Sequence, residues 1–192
     1  MRRRLLQALI AFGFVGFVGF VGTYYIPYAG TWLDHVELPA FLGSNTIALP
    51  DGGRLTANMA QQRVQRYGGD GRFRNGWFVE AHGGHFGIGL TSDGRAVVCT
   101  GRGRQLFLFS LDGQSAGDPR PCPPPEVPKI LQPNDFPHSE VHLQQAIAVD
   151  PPSPSIVTLV LVPLWDPMVA WFIVVIGYVA WRLVGSQNPA ET

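Results

Sequence analysis

Four Asp-Gly pairs constrain this chain more than any other feature: Asp51-Gly52, Asp70-Gly71, Asp93-Gly94 and Asp112-Gly113. Their spacings are 19, 23 and 19 residues, so the pairs repeat with a period of 42. Asp-Gly between apolar runs is a hairpin signal, because both residues tolerate positive φ. Apolar positions keep the same register: Leu55 with Val97, Val64 with Leu106, Tyr67 with Phe109. Two turns and three strand positions in one period imply an internal duplication.

Each unit reads as four short strands. The first unit places them at 45–49, 54–59, 63–67 and 73–79, and the second at 86–91, 95–100 and 104–110. The fourth strand of the second unit is missing, because the prolines that follow Gly113 cannot continue a central strand. The third strands differ. "RVQRY" is polar over much of its surface and should be half exposed, whereas "QLFLF" is apolar on both faces and should be covered. Beyond them, residues 119–137 contain eight prolines and should form a stiff extended loop. Residues 141–149 and the β-branched run 155–162 read as two further strands. The segment "WLDHVELPAF" reads as a short interfacial helix or an edge strand.

The order strand, Asp-Gly turn, strand, loop, "RVQRY" strand and "DGRF" turn resembles the repeat of NHL-type and related β-propellers. The resemblance covers about residues 45–113 and implies blade-like antiparallel meanders. Propellers are built from roughly four or more blades, so fewer than two in one chain cannot close a ring. Either further copies or partners complete the assembly, or the blades pack as a small meander or sandwich. The second is the reading preferred here.

The two ends of the chain are apolar. Residues 5–22 carry no charge and one glutamine, and residues 167–184 carry only Arg182. Each is long enough to cross a bilayer with little tilt. The expected fold is therefore a mainly β extramembrane domain flanked by two transmembrane α-helices. Its parts are tail 1–4, span 5–23, β domain 24–165 with repeats 45–79 and 86–113, span 166–184 and tail 185–192. Arg2, Arg3, Arg4 and Arg182 place both termini on the cytoplasmic side. Tyr24, Tyr25, Tyr28 and Trp165 would then lie at the outer interface, and Asp166 would cap the second helix ahead of Pro167. The reading is a bacterial inner-membrane, two-pass protein with a periplasmic centre. A cleaved signal peptide is the rival, but no small-residue cleavage site follows the first apolar run. Gly13, Gly16, Gly19 and Gly22 trace a slanted groove on the first helix suited to packing against another helix, its own partner or a foreign one.

Chemistry-bearing residues are few. Cys99 and Cys122 lie in the outer region, where an oxidising compartment permits a disulfide. His82 and His85 sit in a Gly-rich turn, and His138 and His142 flank Glu140; together they have the composition of a zinc or copper site. No Gly-x-Ser-x-Gly elbow is present, neither cysteine has an activated setting, and the Gly-rich stretches do not lead into a helix that would cradle phosphate. The reading is accordingly not an enzyme, and no cofactor is implied. Seven arginines fall between 63 and 104. Of these Arg63, Arg66, Arg72, Arg74, Arg102 and Arg104 are candidates to face anionic lipid or an acidic partner. Nucleic acid is not an expected partner.

The function these features imply is a membrane-anchored, non-catalytic accessory or assembly subunit of an inner-membrane complex. Its partners would be the lipid bilayer and other membrane-protein subunits or copies of itself. The alternatives are a metal- or small-ligand-binding sensor or carrier built on the four histidines, and a homo-oligomer whose chains jointly close a propeller-like ring.

Overall fold

A computed structural model describes residues 2–23, 31–38, 40, 44–59, 61–124, 126–137, 139–153, 156 and 167–186. The chain divides into two compact units. One comprises Met1–Tyr28 with Ser155–Thr192, the other Ala29–Pro154.

The second unit holds two four-stranded antiparallel sheets. The first sheet runs β1 (Asn45–Ala48), β2 (Arg54–Asn58), β3 (Arg63–Tyr67), β4 (Phe73–Phe78) in spatial order. The second runs β5 (Phe86–Leu90), β6 (Ala96–Thr100), β7 (Gln105–Phe109), β8 (Arg120–Pro121). The seven strands expected from the sequence are all present, with ends trimmed by a residue or so. The fourth strand of the second repeat, expected to be missing, exists as two residues: β8 pairs with Gln105 and Leu106 before the prolines end it.

All four Asp-Gly pairs turn hairpins, and the geometry is the same each time. The glycines adopt φ of 79°, 75°, 84° and 88°, while none of the four aspartates has a positive φ. Each glycine N–H donates to the carbonyl three residues back, at 2.9–3.0 Å: Leu49, Gly68, Thr91 and Ser110. These are type I turns closed by a glycine in the left-handed region, so only the glycine, not both residues, uses the unusual conformation.

The sheets stack in the same sense, like consecutive blades. Val64 of β3 lies in the core between them with Ile47, Leu55, Trp77, Phe86, Ile88, Val98 and Phe109. Its counterpart one period later, Leu106, points the other way, into a second core with Val97, Cys99, Leu131, Phe136 and Leu143. The face of repeat one that looks inward therefore looks outward in repeat two. The stack is head-to-tail and ends in two unlike outer faces.

Segments of the same unit cover most sheet edges. Ile147 and Val149 bond to Ala48 and Thr46 on β1, and Lys129–Leu131 lie along β5 at Ile88. The expected strand 141–149 is reduced to such contacts, bridging Thr91 to Leu143 and Ile47 to Ala148. Pro151 and Pro152 follow it directly. The expected strand 155–162 falls almost wholly outside the described residues.

The first unit is a pair of helices, α1 (Arg2–Thr23) and α2 (Pro167–Ser186). Gly13 lies against Val174, and a Cβ there would come 2.9 Å from Val174 Cγ2. Ile10 lies over Gly177, so the helices run antiparallel. Gly13 and Gly16 are buried, as helix packing requires. Gly19 and Gly22 are not among the residues whose burial is described.

The transmembrane expectation does not hold. Among the described residues no helix is long and apolar enough to cross a membrane. α1 opens on Arg2, Arg3 and Arg4 and carries Gln7 and four glycines, and α2 carries Gly177, Tyr178 and Arg182. The flanking transmembrane helices, the two-pass inner-membrane location with cytoplasmic termini, and the periplasmic assignment built on them are therefore set aside. Tyr24, Tyr25, Tyr28, Trp165 and Asp166, invoked as interface and cap residues, lie outside the described residues.

Candidate docking site

Residues on β3 alternate between the two faces of the first sheet. Val64 and Arg66 look toward the second sheet; Arg63, Gln65 and Tyr67 look outward. That outward face is not half exposed, as the polarity of "RVQRY" suggested. Thr46, Thr56, Asn58, Arg63 and Gln65 share it, and all are buried. Thr46 and Thr56 join their hydroxyls across the strands at 3.0 Å.

The cover is the segment 31–38, a 3-10 turn over Thr31–His35 running on to Leu38. Leu33 and Leu38 are its apolar anchors, 0% and 1% exposed. The sheet holds its backbone. Gln65 accepts the Leu38 N–H at 2.8 Å through Oε1 and returns Nε2 to the Leu38 carbonyl at 3.0 Å. Arg63 Nη2 donates to the carbonyls of Leu33 at 2.7 Å and Val36 at 2.8 Å. Tyr67 Oη lies 3.0 Å from Gln65 Nε2, completing the row.

Arg63 is the most demanding member. It is fully buried, and its guanidinium lies 5.0 Å from the Phe78 ring centroid. It crosses β4 at Gly76, where a Cβ would sit 2.7 Å from Nε and Nη2, so a side chain at 76 would exclude it. Burial pushes its pKa down to about 10, with Asp34 and Tyr67 opposing, so it stays charged at neutral pH. Its Nε and Nη1 have no hydrogen-bond partner among the described residues. Each buried donor left so costs about 1–3 kcal/mol. Asp34 lies close enough to feel the charge. Burial raises its pKa, and Arg63 and then His35 work against that rise. The Tyr67 phenol is pushed well above its usual range, first by burial and then by the Glu37 carboxylate.

The other arginines proposed as a basic face sit differently. Arg66 reaches from the first sheet to two Asp-Gly turns, 3.0 Å from Asp51 and 3.6 Å from Asp112. With His35, Arg74 and Asn75 these residues line a depression of about 640 Å³. Arg74 pairs with Asp70 at 2.9 Å. Arg102 donates to the carbonyl of His82 at 2.9 Å, and Arg104 to that of Cys122 at 3.3 Å. Arg72, Arg102 and Arg104 are exposed, but acidic neighbours balance much of the stretch and Arg63 is not on the surface at all.

His82 and His85 do not converge with His142. His82 and His85 precede β5, and the His85 ring packs on Gly101. The His142 carbonyl accepts the Ser92 N–H, just beyond the far end of β5. Crossing the intervening strand takes about 20 Å at ~3.3 Å per residue, far beyond a shared metal. His138 lies outside the described residues. Among the described residues no group of three or more metal-binding side chains occurs.

Cys99 and Cys122 form a disulfide, with Cα atoms 5.8 Å apart. It fastens the Pro-rich segment to the outer face of the second sheet. No protein-family model and no curated protein matches this sequence. The features sequence reasoning missed are Gln65, Gly76, Leu33 and Leu38. One signal was available: Arg-x-Gln-x-Tyr alternation on a strand, with a glycine in the neighbouring strand.

Proposed function

We propose that this chain is a non-catalytic accessory or assembly subunit of a larger protein complex. The observation that carries the reading is the outer surface of the helix pair. Phe14 of α1 and Trp171, Phe172, Ile176 and Leu183 of α2 are 51–65% exposed. Large apolar side chains gathered on one small unit mark a surface that is covered in use. The β unit adds a rigid, disulfide-tied body beside no assembled catalytic set among its described residues.

The test is native mass determination of the tagged chain purified gently from its own host. The expected result is a defined heteromer of fixed stoichiometry that is lost on Phe172→Asp with Ile176→Asp. A chain that elutes alone, with the same mass in both forms, overturns the reading.

A further inference from the structure

We propose that the outward face of the first sheet is a peptide-docking groove, filled in this structure by the chain's own segment 33–38. Its external occupant is a partner segment with two apolar anchors and a carboxylate between them. This goes beyond the helix-surface reading and does not depend on it.

The contacts themselves define the ligand. Gln65 reads one residue's N–H and carbonyl together, and Arg63 reads two further carbonyls. Those are backbone groups, which any peptide of the same course presents. Side-chain selectivity rests on the Leu33 and Leu38 positions, both fully covered. The resident segment also leaves the groove incompletely satisfied. Arg63 is 0% exposed, yet its Nε and Nη1 have no hydrogen-bond partner among the described residues. A buried guanidinium with open donors is complementary to a carboxylate, which Arg takes in a forked geometry. Asp34 lies near it but makes no hydrogen bond to the guanidinium. A side chain one methylene longer at that place would reach further toward those donors. The groove therefore holds its own segment by a set of contacts that an acidic competitor can improve.

The experiment uses the full chain and a fluorescein-labelled peptide copying residues 31–40, followed by fluorescence anisotropy. Leu33→Asp with Leu38→Asp lifts the resident segment. This variant should bind the peptide, whereas the unmodified chain should bind it at least about tenfold more weakly because the groove is filled. Adding Gln65→Leu to the opened chain removes two backbone hydrogen bonds and should weaken binding by about tenfold or more. A peptide carrying Asp34→Glu should bind more tightly than the plain copy. No binding to the opened chain, or binding indifferent to Gln65→Leu, overturns the groove. Equal binding of the two peptides overturns the carboxylate assignment. Dimers of the opened chain that form by exchanging 31–38 between copies would replace the external partner with a second copy and overturn that part. If the double variant fails to fold, amide exchange of the unmodified chain decides. The Leu38 amide should exchange at least about a hundredfold faster than those of Val97 and Val98, through a local opening. Equal protection means the segment does not lift, and the groove is not available.

Discussion

The two outer faces of the β stack come from the same repeat, yet they are closed by opposite means. The outer face of the first sheet is polar: Thr46, Thr56, Asn58, Arg63 and Gln65 are buried beneath the segment 33–38. The outer face of the second is apolar: Val97, Cys99, Leu106 and Leu108 meet Val127, Leu131, Phe136, Val141 and Leu143. A head-to-tail stack of two blades must end in unlike faces, because each blade has a front and a back. Heterologous surfaces of this kind propagate into rings or filaments when left open. Here each end is covered by chain from its own unit. The apolar end is closed by burial and a covalent tie, which resist opening. The polar end is closed by hydrogen bonds to backbone, which are directional, exchangeable and individually worth only about 1 kcal/mol net.

Substitutions can break this contrast. The largest effect is expected at the apolar end. Leu131 is fully buried and packs over Gly87 and Gly89, where Cβ atoms would come within 2.9 and 3.0 Å of it. Leu131→Ala should cost about 4 kcal/mol, read by denaturant unfolding at unchanged m-value. Next is the disulfide. Cys99→Ala with Cys122→Ala releases a loop spanning 23 residues of separation and should cost about 3 kcal/mol. The melting temperature should fall by about 10 °C, and the loss of exchange protection should concentrate in 120–143, leaving the Leu38 amide unaffected.

At the polar end, Gln65→Leu leaves the Leu38 N–H and carbonyl without their partner and should cost about 2 kcal/mol. Here the exchange pattern should reverse: Leu38 loses protection while the Val97 and Val98 amides keep theirs. If both ends lost protection together in either variant, the two covers would be one cooperative structure and the contrast would fail.

The smallest effect is on pH dependence. The Asp51 carboxyl is held below its ordinary pKa, first by the Gly53 N–H and also by Arg66, and Asp93 is lowered by Thr91 and Arg95. A folded pKa below the unfolded one means stability that is present above the unfolded value and is lost as pH falls through the folded one. The melting temperature should therefore hold level above about pH 5 and decline below about pH 4. Asp51→Asn should flatten part of that decline. An unchanged acid limb would show that the turn carboxylates do not contribute.

Much of the β unit was legible because its signals are short-range. A hairpin closed by Asp-Gly needs only the five residues of the turn, and the 42-residue period showed that the same solution was used twice. The disulfide was legible as a pair, since only two cysteines exist. The helix pair was legible as helices, but the reading of both as membrane spans did not hold. The candidate site was not legible. Arg63 looked like a surface charge because strand alternation says which residues share a face, not which face is covered. His82 and His85 looked combinable with His142 because nothing in the spacing shows that β5 holds them apart.

The amino-acid sequence by itself determined the hairpins, the strand positions, the duplication and the single possible cysteine pair. Each follows from local backbone preference or from counting. Tertiary structure alone decided that the blades stack head-to-tail, that β8 survives as two residues, and that a charged strand face becomes an interior. The decisive contacts at Arg63 and Gln65 join residues 27 and 30 positions apart. Burial at that range depends on where an entire segment comes to rest; the Arg-x-Gln-x-Tyr alternation within β3 marks a shared face but does not say what covers it.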